Sequence, residues 1–226
     1  MEITSSNFLK NLRLSDYIPM IKKLPHWLLA TFLLILFTAC GPAKDKIRIT
    51  GKFTNINDAE FYVYSEDGAF DGIDTIKISD GKFNYERTLA HPAVLTLLYP
   101  NFTQTYVVAE PGHEIKIKGE ASKIGESEVT GTEQNELLSD FRIKHIADAP
   151  HPQRLAAAQF IRENPTTLAA VAVFRKYFAN VQTTDATQAL PLLNLLKKAQ
   201  PRERAIAHLE ATFRPLLQTA TGQPIP

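Results

Sequence analysis

One stretch of this chain carries residues whose order implies covalent chemistry: Leu36-Phe37-Thr38-Ala39-Cys40-Gly41, which holds the only cysteine among 226 residues. It resembles a lipobox, in which small residues precede a cysteine that receives a lipid and becomes the mature N-terminus. Upstream, the apolar run from Trp27 to Ala39 and its basic flank Lys22-Lys23 read as a secretory signal. Phe37 stands where leucine is commonest in such motifs. The run is too short to cross a bilayer, which takes roughly 20 apolar residues. A lone cysteine is ordinarily a small buried hydrophobe. Here it closes an apolar segment and opens a polar tether, Gly41-Pro42-Ala43-Lys44-Asp45-Lys46, so lipidation at Cys40 is the reading adopted.

Other residues capable of chemistry are weaker candidates. The loop Asp67-Gly68-Ala69-Phe70-Asp71-Gly72-Ile73-Asp74 offers carboxylates to calcium but lacks the alternating ligand spacing and closing glutamate of an EF-hand, and reads as a solvated turn. His145 and His151 lie six apart, the wrong spacing for two ligands on one helical turn, and read as surface or cap histidines. Phe61, Tyr62, Tyr64, Tyr99, Phe102 and Tyr106 would suit a ligand groove on a sheet, although such residues usually form core and cross-strand pairs. Asn101-Phe102-Thr103 matches a glycosylation acceptor only formally. There is no nucleophile elbow, phosphate-cradling loop or dinucleotide fingerprint. No catalytic residue, metal or cofactor is expected.

The charge balance points the same way. The chain has 25 basic and 24 acidic residues, four and two of them in the first 39, so the remainder is close to neutral, a balance that does not point to nucleic acid. Residues 40–130 carry 10 basic and 14 acidic side chains and residues 131–226 carry 11 and 8, so the two halves differ in sign. With Cys40 committed to lipid, neither a disulfide nor a CxxC redox centre can form within the chain.

Five segments must position these residues. Residues 1–39 are the signal, with Met20 as the expected true start because Met20-Ile21-Lys22-Lys23 opens a compact signal of ordinary proportions. Residues 40–46 are the lipidated tether. Over residues 47–130 the hydrophobic period is two. Ile47, Ile49 and Phe53 share one face, with Gly51 marking a bulge or a close backbone approach. Phe61 to Tyr64 follows. Asp74 to Ile78 and Phe83 to Glu86 flank Asp80-Gly81 as a hairpin. Ala93 to Tyr99 and Thr105 to Ala109 are apolar throughout and predict central strands. Ile115 and Ile117 alternate with Lys116 and Lys118, and Glu128 to Thr130 predicts a short edge. Seven or eight strands without an intervening helix predict an antiparallel β-sandwich or open barrel.

Residues 131–218 read as a bundle of short helices, so the fold class is α+β. Thr132 caps a helix burying Leu137, Leu138, Phe141 and Ile146. A second buries Leu155, Ala158 and Ile161. Asn164-Pro165 starts a third, with a stripe of Leu168, Val171, Phe174 and Phe178. Asp185 or Thr187 starts a fourth containing Pro191, and Pro201 a fifth carrying Ile206, Leu209 and Phe213. Residues 219–226 have linker composition.

Taken in order, Asp74-Thr75, Asp80-Gly81-Lys82-Phe83, Ala109-Glu110-Pro111-Gly112, Val129-Thr130-Gly131 and Asn135-Glu136 resemble domain of unknown function 4369 over about residues 46–140. The resemblance implies a β-rich module at the N-terminus of Gram-negative lipoproteins, commonly followed by a helical linker and a thioredoxin-like disulfide reductase domain. Phe160-Ile161-Arg162-Glu163-Asn164-Pro165 resembles that linker, and Thr221 to Pro226 the entry segment before the reductase domain. The sequence stops there, so a severed or stand-alone version of the longer architecture is expected.

The expected function is therefore that of a lipid-anchored envelope protein, facing the periplasm from the outer membrane, acting as a non-catalytic accessory or binding module. The alternative is a part in thiol-disulfide exchange through a separate or lost thioredoxin-like domain, which would be its protein partner. A ligand or glycan binder using the aromatic residues is the third reading.

Overall fold

Ile47, Ile49 and Phe53 are completely or almost completely buried on one face of the first strand, while Arg48, Thr50 and Lys52 look outward, so the alternation read from the sequence becomes the two faces of a sheet. The structure, a computed structural model, describes residues 41–179 and 185–216. The signal segment with Met20, the lipidation site Cys40 and the linker-like 219–226 lie outside the described residues.

Among the described residues eight strands form two four-stranded sheets: β1 Lys46–Thr54, β2 Ala59–Ser65, β3 Ile73–Ile78, β4 Lys82–Thr88, β5 Ala93–Leu98, β6 Gln104–Ala109, β7 Glu114–Glu120 and β8 Glu128–Thr130. The first sheet has the order β4-β1-β7-β8 and the second β3-β2-β5-β6. This is a sandwich and not a closed barrel. One pairing departs from the antiparallel expectation, since β1 and β7 run parallel, Arg48 opposite Glu114 through Thr54 opposite Glu120. A short 3₁₀ segment, Ala121–Glu126, separates β7 from β8.

The two sheets meet through aromatic rings drawn from both. Phe53 and Phe83 of the first sheet stack at 5.3 Å, and Phe61 of the second meets Phe83 edge-on at 5.1 Å and Tyr99 at 5.2 Å. Gly51 makes that packing possible. A Cβ there would overlap both the Ile117 carbonyl oxygen and the Phe83 ring, so the backbones approach closely and the ring covers the glycine. The ladder runs through Gly51 unbroken on both sides, so there is no bulge.

Asp80-Gly81 makes the tight turn its sequence predicts, with φ of 52° and 72° and reciprocal 2.9 Å bonds between Ser79 and Lys82. The hairpin expectation is nevertheless corrected. Beyond that one bridge β3 pairs with β2 and β4 with β1, so the turn is a corner carrying the chain from one sheet to the other.

Five helices follow among the described residues: α1 Glu133–His145, α2 Pro150–Glu163, α3 Leu168–Phe178, α4 Ala186–Ala199 and α5 Arg204–Thr212. They enclose a second core that takes Val94 and Val108 from the outer face of the second sheet. This explains the continuous apolar runs of β5 and β6. β5 is central as expected, but β6 is an edge strand whose outer face is covered by helices. α3 is buried on every side from Leu168 to Arg175, not along a stripe.

Several boundary expectations are also corrected. Asn164 closes α2, its Nδ2 donating to the Phe160 carbonyl at 2.9 Å, and Thr167 caps α3, accepting from Ala170 N–H at 3.1 Å. Glu203, two residues beyond Pro201, caps α5. Ile146, exposed at 39%, lies just past the end of α1, and Leu155, exposed at 53%, sits on the outer face of α2.

Candidate functional site

α1 is the element that joins the two cores, and its sequence explains how. Thr132 caps the helix by accepting from the Asn135 N–H at 3.3 Å, which fixes the rotation of the first turn. Asn135, Leu138, Ser139 and Arg142 then fall at intervals of three and four and form one buried face. Asn135 Oδ1 accepts from the Val108 N–H at 2.9 Å, and Asn135 Nδ2 donates to the Val108 carbonyl at 2.7 Å. The Ser139 hydroxyl accepts from the Val129 N–H at 3.0 Å, and Arg142 donates to the Ser127 carbonyl. Val108 lies on β6 and Val129 on β8, the edge strands of the two sheets. One helix therefore satisfies backbone groups along both open edges on this side of the sandwich.

Gln134 extends the same device to the bundle. Its Oε1 accepts from the Leu168 N–H at 2.7 Å at the start of α3, and its Nε2 donates to Glu110 at 3.0 Å. Of Gln134, Asn135, Ser139 and Arg142, only Asn135 stands out in the sequence, and only within the motif Asn135-Glu136. The signal that marks them is the threonine cap, which forces the third helical residue against the strands.

Residues 47–138 match the model of the family described as domain of unknown function (DUF4369). This stretch is a DUF4369 domain. It contains all eight strands and the first half of α1, so the DUF4369 domain includes the residue that seals the β6 edge. No curated protein and no solved structure matches the chain significantly.

At the C-terminal border of the DUF4369 domain lies a groove of about 440 Å³ between α1 and α2. Its walls are two stripes at helical spacing: Leu137, Asp140, Phe141 and Lys144 with His145 from α1, and Ala156, Gln159, Phe160 and Glu163 from α2. Phe141 and Phe160 meet at 4.7 Å between ring centres and form the apolar floor. The charged ends rim it. Gln153 Nε2 donates to the His145 carbonyl at 2.8 Å and ties the two helices where α1 ends. An apolar floor with a polar rim has the form that accepts an apolar ridge of a partner.

The other nominated residues are engaged elsewhere. Asp67 pairs with Arg175 of α3 at 3.3 Å, both side chains almost wholly buried, and Asp74 accepts from Tyr85 at 2.7 Å and Arg87 at 2.8 Å. These carboxylates of the acidic loop tie that loop to the helical bundle and to β4. His145 contacts Asp148 at 2.6 Å, whereas His151 is exposed in the first turn of α2. Among the described residues no three metal-ligating side chains converge. The aromatic residues divide between faces: Phe61 and Tyr99 are core, Tyr62, Tyr64 and Tyr106 lie on the outer face of the second sheet with Tyr64 and Tyr106 both opposite Thr96 and Tyr106 packed towards the helices, and Phe102 is 85% exposed on the β5–β6 loop.

Burial pushes the Tyr99 phenol up to about 12, with the neighbouring Thr105 hydroxyl and the Arg142 charge acting against it. Burial also raises Tyr106, with Glu66 adding to the effect, and raises Tyr85, reinforced by its bond to Asp74.

Proposed function

We propose that the protein is a lipid-anchored module of the cell envelope, held through Cys40 at the outer membrane on its periplasmic side, which acts by binding rather than by catalysis. The observation that carries this reading is the join between the lipobox-like sequence and the folded unit. Lys46 N–H bonds to the Ala43 carbonyl and Leu89 N–H to the Asp45 carbonyl, so the tether residues after Cys40 are already tied to the sheet at Ala43 and Asp45. The five residues 41–45 span at most about 18 Å of extended chain. A lipid on Cys40 would hold the start of β1 close to the bilayer surface.

The α1–α2 groove supports the binding half of the reading, because it offers apolar area with polar orientation at its rim. A thioredoxin-like protein is the partner class that the family resemblance implies, and a mixture of the two purified proteins should show the groove residues protected from hydrogen exchange. Growth with an alkyne-bearing fatty acid tests the anchor. Wild type should take the label and Cys40→Ala should not; equal labelling of both would sink the reading.

A further inference from the structure

The outer face of the first sheet carries an arrangement of charge that the fold itself does not need. In register across three neighbouring strands, Lys52 of β1 faces Lys82 of β4 on one side and Lys118 of β7 on the other. All three are exposed. Like charges directly opposite each other on one sheet face repel and destabilise the pairing. Elsewhere on this face the charges are matched: in the row Glu86–Arg48–Glu114, Arg48 lies 2.6 Å from Glu86, and Glu114 accepts from Thr50 at 2.8 Å. Glu128 of β8 ends this row opposite Lys118, but among the described residues no carboxylate lies within ion-pair distance of Lys52, Lys82 or Lys118. Lys116, one row away and 3.9 Å from Glu114, adds a fourth, partnered ammonium to the same shallow depression of about 300 Å³, which is also lined by Thr50, Gly51 and Phe83.

We propose that this face lies against the anionic headgroups of the membrane, with Lys52, Lys82 and Lys118 as its phosphate contacts. Phosphate is the chemistry a row of unpaired ammonium groups recognises, and each basic side chain near an anionic bilayer adds about five-fold to its affinity. The choice of a bilayer rather than a soluble phosphate rests on the anchor proposed above. β1 starts within a short tether of Cys40, and laying its outer face on the surface brings the lysine row, about 20 Å along the strand, down onto the headgroups. Lys77 projects from β3 on the opposite sheet and Lys198 from α4, so both would stay in solvent.

The test uses the full-length protein purified from a Gram-negative host and reconstituted into vesicles of phosphatidylcholine, alone or mixed with phosphatidylglycerol. Acetylation by an amine-reactive reagent is read lysine by lysine. The expected result is at least about five-fold slower modification of Lys52, Lys82 and Lys118 in the anionic vesicles, reversed by salt, with Lys77 and Lys198 unchanged. Equal rates in both vesicle types would overturn the proposal. Inorganic phosphate giving the same protection in neutral vesicles would also overturn it, since the row would then read phosphate without a membrane. Failure of the protein to remain with neutral vesicles speaks against the anchor, a separate result from unprotected lysines on protein that does remain. The variant with Lys52, Lys82 and Lys118 all changed to Gln should fold at least as stably as wild type and lose the lipid dependence.

Discussion

Asn135 stands to Val108 as a strand would, its side-chain amide both accepting from the N–H and donating to the carbonyl of that one residue. Because Val108 lies on the edge strand β6, a helix residue completes the ladder that the sheet leaves open. Asn135→Leu keeps the branching of the side chain but orphans two buried backbone groups and should lower stability by about 3 kcal/mol in urea unfolding. Asn135→Asp should also destabilise, because a carboxylate cannot donate to the Val108 carbonyl. Wild-type stability in both variants would show that the contact contributes nothing.

Gly51→Ala should be more damaging than an exposed glycine change. The new methyl meets a carbonyl oxygen of β7 on one side and the Phe83 ring on the other, and a loss of about 2–3 kcal/mol is expected from the forced shift. Thermal unfolding of the variant is the check, and an unchanged midpoint would mean that the two sheets are not packed as described.

Asp67 and Arg175 form an ion pair sealed between the β2–β3 loop and α3. Removing one partner leaves a buried charge, so Asp67→Ala should cost about 3–5 kcal/mol. Adding Arg175→Met should restore part of that loss. A double-mutant cycle measures the coupling, and additive losses would rule out a direct pair.

Stability should fall in strong alkali. Tyr99 holds its proton up to about 12 in the folded chain, whereas a tyrosine in the unfolded chain releases it near about 10. Its contribution is complete below about pH 10 and is lost progressively up to about pH 12, at up to about 1.4 kcal/mol per pH unit. Urea titrations across that range should show the decline, and Tyr99→Phe should make it shallower. A variant with the same alkaline slope as wild type would contradict the assignment.

What the sequence made legible was local. The alternation of Ile47, Ile49 and Phe53 and of Ile115 and Ile117 gave the inward faces, and Asp80-Gly81 gave a turn. None of these says which strand lies beside which. The parallel pairing of β1 with β7 joins residues far apart in the chain, and periodicity carries no direction, so it was out of reach. The apolar run of β6 correctly reported burial on both faces, but a covering helix produces the same pattern as a central position. Asn135, Ser139 and Arg142 were unreadable because a polar residue that satisfies a strand edge looks like one that faces water. The uncharged run Leu168 to Phe174 was a readable sign of a helix buried all round.

The central claim is that Cys40 becomes a lipidated N-terminus, and the most direct measurement is mass spectrometry of the N-terminal peptide of protein purified from membranes. A lipidated chain gives a peptide that begins at Cys40, carries the mass of a diacylglyceryl group and lacks everything up to Ala39. A peptide that continues upstream through Thr38-Ala39 with an unmodified Cys40 would contradict it.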